Sequence, residues 1–97
     1  MSLAPLQPGD LISIDIGVTH QGWIGDAAWT WAIEHAEDEH LRLMQAGKDS
    51  LAAGVNAMQP GRPLIDFAKA CQNVAEDTFG FHLIRGLGGH GYGKTLH

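Results

Sequence analysis

Leu11-Ile12-Ser13-Ile14-Asp15-Ile16-Gly17 alternates aliphatic with polar residues, the pattern of a strand with one face buried. Before it, Leu6 to Asp10 (L-Q-P-G-D) reads as a turn entering the strand. After it, Val18 to Gly22 contains a second turn. Gly22 to Ile33 (G-W-I-G-D-A-A-W-T-W-A-I) is rich in Trp, Ile and Thr and reads as a second strand, so the two make a hairpin. With the tip at His20-Gln21, cross-strand partners have numbers that sum to 41, and Asp15 stands directly opposite Asp26. Like charges with Cβ atoms about 4.5–5.5 Å apart repel, and each resists losing its water. A shared proton, an arginine or a cation must offset this. Two divalent ions about 3.5–4 Å apart would do so.

From Glu37 to Met58 the period becomes helical, with Leu41, Met44, Leu51, Val55 and Met58 on one face. Gly47 and Gly54 each weaken such a helix by about 1 kcal/mol relative to alanine, and close packing would account for them. Pro60-Gly61-Arg62-Pro63 breaks the chain. A second helix follows, with Leu64, Ala68, Cys71, Ala75 and Thr78 on one stripe, and it stops at Phe79-Gly80. Phe81 to Arg85 reads as a short third strand. The order ββααβ predicts an α+β domain, an antiparallel sheet with two helices on one face.

The composition narrows the function classes. The 97 residues are 44% hydrophobic and 18% charged, enough for one small core. Six Lys and Arg against eleven Asp and Glu give a net charge of −5, an acidic balance that argues against a nucleic-acid partner. Cys71 is the single cysteine, so no intrachain disulfide forms. No apolar run approaches the ~20 residues of a membrane span, and Met1-Ser2-Leu3 lacks the basic and apolar regions of a signal peptide. A cytoplasmic location without membrane attachment is the expectation. Of six histidines, His20, His35, His40 and His82 are scattered and read as surface or packing residues.

Gly86-Leu87-Gly88-Gly89-His90-Gly91-Tyr92-Gly93 holds five glycines in eight residues, so its backbone can approach a ligand closely. Gly93-Lys94-Thr95 copies the end of a phosphate loop, but the preceding glycine spacing is wrong for one. A neutral imidazole at His90 suits a transition metal. A polar turn histidine is the competing reading of that residue.

Three motifs in order carry a resemblance that covers the chain from about Leu6: Ile14-Asp15-Ile16-Gly17, Gly25-Asp26-Ala27-Ala28-Trp29-Thr30, and Gly89-His90-Gly91-Tyr92-Gly93-Lys94-Thr95-Leu96-His97. Together they resemble type I methionine aminopeptidases, M24 metallopeptidases of the pita-bread (creatinase/aminopeptidase) fold. The resemblance implies that Asp15, Asp26 and His90 are metal ligands, in a site for two divalent ions (Co, Mn, Fe or Zn) in the full-length parent. It implies that His97 contacts the scissile peptide as a substrate-binding residue, and that Leu96 lies near the methionine pocket. The implied activity is removal of the N-terminal Met from nascent polypeptides by two-metal hydrolysis. Tyr92 stands where small aliphatics are commoner, and Trp31 where phenylalanine is usual. The family's two glutamate ligands, one of them the general base, have no counterpart in these residues; Asp38, Glu39 and Glu76 come too early and on predicted helices. Residues 1–97 are therefore expected to be a single partial catalytic domain, truncated at both ends relative to the family. Alone it would bind metal weakly or not at all, be inactive, and associate with itself through uncovered apolar surface. A non-catalytic pita-bread binding module, or an aminopeptidase P or prolidase-like member, is the alternative, though the G-H-G-x-G-x3-H spacing favours the aminopeptidase.

Overall fold

The hairpin closes on a two-residue turn, Gln21-Gly22, in which both residues have positive φ, 52° and 82°. That is the geometry of a type I′ turn, whose twist matches the flanking strands, and glycine at its second position removes the steric cost. The computed structural model describes residues 4–96. In it β1 (Leu11–His20) pairs antiparallel with β2 (Trp23–Ala32). Partners run from Leu11 opposite Ala32 to His20 opposite Trp23, so their numbers sum to 43. The expected register, with its tip at His20-Gln21, is off by one residue on each strand. Asp15 faces Ala28, and Asp26 faces Gly17. Because the shift in the sum is even, no side chain changes face. Asp15 and Asp26 stay on the same face, as diagonal rather than direct neighbours.

The alternation separates two surfaces. One carries Ser13, Asp15, Asp26 and Thr30, with a 2.8 Å hydrogen bond between the Ser13 and Thr30 hydroxyls. The other carries Ile14, Ile16, Val18, Trp29 and Trp31, all of which remain exposed. The turn before β1 is as expected: the Asp10 N–H bonds Gln7 O at 3.1 Å across Pro8-Gly9.

Residues 4–36 and 86–96 form one compact unit, and residues 37–85 form another. In the second, α1 (Asp38–Ala57) packs against α2 (Ile65–Gln72), which continues into a six-residue π-helical segment, Asn73–Thr78. Asp38 and Glu39 place negative charge in the first turn of α1, where the helix dipole favours it. The face of α1 that packs is not the one marked by large residues. Leu41, Leu51, Val55 and Met58 are 48–57% exposed, whereas Ala46, Ser50, Gly54 and Ala57 are buried. Small side chains win this face because they let two helix backbones approach. A Cβ at Gly54 would lie 2.6 Å from Cys71 Sγ and 2.7 Å from the Phe67 ring. Ser50 Oγ donates to Cys71 O at 2.9 Å across the same contact. The expected stripe on the second helix is displaced likewise: Leu64, Ala68 and Thr78 are exposed, while Phe67, Cys71 and Ala75 lie inward.

Phe81 to Arg85 is not a strand. Its backbone is taken by the end of the preceding helix: the Phe81 N–H bonds Ala75 O at 2.9 Å, and the Leu83 N–H bonds Glu76 Oε2 at 2.9 Å. Arg42 closes this end from α1, donating to Phe79 O and lying over the rings of Phe79 and Phe81 at 5.5 and 4.9 Å.

Candidate metal centre

Asp26 and His90 meet within the first unit. Asp26 comes from the middle of β2, and His90 from the glycine-rich loop that follows residue 85. The loop returns antiparallel to β2: His90 lies beside Asp26, and Gly93 O accepts the Ile24 N–H at 2.7 Å. His90 Nε2 is 3.5 Å from Asp26 Oδ2, with the two side chains 42% and 25% exposed, so the pair is partly exposed to solvent.

The other imidazole nitrogen explains which one is offered. His90 Nδ1 is 3.0 Å from Gly91 O. A carbonyl only accepts, so Nδ1 carries the proton of this bond, and Nε2 is the nitrogen that faces the carboxylate, with a lone pair whenever the ring is neutral. Two lone pairs at 3.5 Å repel unless a proton or a cation lies between them. Tying the distal nitrogen to a backbone carbonyl is also how metal-binding histidines are oriented. Two ligands on a tetrahedral ion, each about 2.0–2.2 Å from it, stand about 3.4 Å apart. The observed spacing fits such a bite, and a carboxylate with an imidazole suits a first-row divalent ion.

Asp15 lies on the same sheet face one diagonal step away, which typically separates Cα atoms by about 7–8 Å. Repulsion between the two aspartates is therefore weaker than direct pairing would make it, and the pair alone no longer demands a cation. The His90–Asp26 approach, which a proton or a cation satisfies, is the geometry on which the candidate site stands. Among the described residues no three His, Cys, Asp or Glu side chains are gathered closely enough to hold an ion together. The structure thus brings Asp26 and His90 into one cluster and sets Asp15 on its face. His97 lies outside the described residues.

Glu76 is committed elsewhere. It accepts from Gln72 Nε2, the Leu83 N–H and Arg85 Nη2, and these bonds hold its carboxyl at a pKa of about 2 against an ordinary 4.5. Sequence reasoning missed Trp23 and Gly93-Lys94 as the residues that seat the His90 loop on β2. An aromatic beside the hairpin turn and a lysine beyond the glycines were the available signals.

The sequence profile of metallopeptidase family M24 matches residues 2–97. Methionine aminopeptidase 1 of Mycobacterium tuberculosis is 42% identical over 97 residues, covering 95% of this chain and 36% of the relative. Methionine aminopeptidase 1 of Bacillus subtilis is 37% identical over 92 residues, again 95% of this chain and 37% of the relative. The crystal structure of a methionine aminopeptidase from Thermotoga maritima superposes with a TM-score of 0.87 at 33% identity, covering 94% of this chain and 36% of that one. The chain therefore spans little more than a third of the length of the proteins it matches.

Proposed function

The chain belongs to metallopeptidase family M24 and its α+β elements take the pita-bread fold, and we propose that it carries three metal ligands of a methionine aminopeptidase: Asp15, Asp26 and His90. The observation that supports this reading is the 3.5 Å approach of His90 Nε2 to Asp26 Oδ2, with Nδ1 tied to Gly91 O. Divalent ions held there, Co, Mn, Fe or Zn, would polarise a scissile carbonyl and acidify a bound water. The residues themselves do the holding. Asp26 and Asp15 supply negative charge from one sheet face, and the Gly91 carbonyl fixes the tautomer and direction of His90. His97, by its place in the motif, hydrogen-bonds the scissile peptide. The substrate class is a peptide with an N-terminal Met, and the location is cytoplasmic.

Residues 1–97 form part of one catalytic domain in this reading. They hold three ligands and no general base, so the chain alone is inactive and binds metal weakly. Zinc titration by calorimetry tests the ligand set. Measurable binding is expected in the unmodified chain, weakened more than about tenfold in Asp26→Asn and in His90→Ala, since even outer partners of a metal site cost that much. Equal affinity in all three would reject the site. Incubation with a Met-Ala-Ser peptide is expected to release no methionine; chelator-sensitive release would overturn the inactivity.

A further inference from the structure

The residues that bring His90 to Asp26 are not themselves ligands. The Ile24 N–H bonds Gly93 O at 2.7 Å, on the edge of β2 that β1 leaves open. Immediately beside that bond, Lys94 Nζ lies 5.3 Å from the centre of the Trp23 ring. The same ring passes Gly93 closely, 3.6 Å from where a Cβ would stand. Trp23 precedes Ile24 and Lys94 follows Gly93, so a backbone bond and a cation–π contact clamp adjacent residues on the two segments. Only Gly91 and Tyr92 separate this clamp from His90.

We propose that Trp23 and Lys94 are positioning residues, a latch that holds the loop on the edge of β2 and thereby sets how closely His90 Nε2 stands to Asp26. Glycines at 86, 88, 89, 91 and 93 leave the loop little stiffness of its own. An unlatched loop would spread His90 over many positions, and the affinity of the ligand pair would fall by the fraction of time lost. The indole face attracts the ammonium of Lys94, and an exposed contact of this kind shifts an equilibrium by about two- to fivefold. The contact is exposed, so it weakens a local docking without threatening the hairpin.

The inference rests on the metal-site reading, and two measurements on the 97-residue chain keep them apart. Amide hydrogen exchange at Ile24, followed by NMR without metal, reports the latch. Zinc affinity reports its consequence. Lys94→Met, which keeps the length of the side chain and removes the charge, is expected to speed Ile24 exchange about two- to fivefold and weaken zinc binding by a similar factor. Lys94→Arg, which restores a cation over the ring, is expected to return both to the original values. Unchanged Ile24 exchange in Lys94→Met would overturn the latch, and so would faster exchange with unaltered zinc affinity. If the unmodified chain binds no zinc, the metal-site reading fails, and Ile24 exchange alone then decides whether the latch exists.

Discussion

Glu76 shows how one side chain can replace a predicted element. Its oxygens accept from Gln72 Nε2 at 3.0 Å, the Leu83 N–H at 2.9 Å and Arg85 Nη2 at 3.0 Å. Those bonds stabilise the ionised form and draw its pKa down to about 2. A carboxyl with a lowered folded pKa contributes stability that is fully present above its unfolded value, near 4.5, and is lost as pH falls toward 2. The urea midpoint of the chain is therefore expected to decline over that interval, and Glu76→Gln should flatten this part of the pH profile. A profile unchanged by the substitution would contradict the assignment. None of these bonds could be read from residues 76 to 85 in sequence, where Phe81-His82-Leu83-Ile84-Arg85 looks like a strand. Asp26 and His90 stood out as candidates for the opposite reason, through residue type and local motif, and the distance between them came from the fold.

Helix α1 was legible in extent and misleading in orientation. The expected span Glu37–Met58 differs from Asp38–Ala57 by a residue at each end. Its large apolar residues mark a real stripe, yet the packed stripe is the small one through Ala46, Ser50, Gly54 and Ala57. The two glycines separate accordingly. Gly54 meets Phe67 and Cys71 at distances no Cβ tolerates, whereas nothing lies within 4 Å of a Cβ at Gly47. Gly54→Ala should cost about 1–3 kcal/mol through overpacking. Gly47→Ala should stabilise by about 0.5–1 kcal/mol through helix propensity. Thermal or urea unfolding of the two variants checks both signs. If both shift alike, the close helix contact is wrong. The hairpin follows the same logic: alternation assigned the faces, but the turn had to choose between His20-Gln21 and Gln21-Gly22. Positive φ at both central residues favours the pair that ends in glycine.

At the scale of the whole molecule, each unit leaves an apolar surface uncovered. Ile14, Ile16, Val18, Trp29 and Trp31 are exposed on the sheet, as are Leu41, Leu51 and Val55 on α1 and Met58 just beyond its end. Contiguous apolar surface beyond a few hundred Å² commonly finds a partner, so sedimentation of the 97-residue chain at high micromolar concentration should give dimers or larger species. A purely monomeric profile would count against this. Among the described residues no helix is long and apolar enough to cross a membrane. The residues by themselves determined the hairpin and the two helices, the family resemblance and which side chains are candidate ligands, because alternation, helical period and motif spacing are local and survive without knowledge of contacts. Tertiary structure decided which helix face packs, where Phe81 to Arg85 spends its hydrogen bonds, and how the hairpin registers. It also decided what brings His90 to Asp26. Each of these turns on partners distant in sequence, whose competition for one backbone group or one surface has no local signature. The hairpin aspartates, read as a pair forced together by direct opposition, are instead diagonal neighbours, and the loop latched to β2 by Gly93 and Lys94 supplies the closer approach.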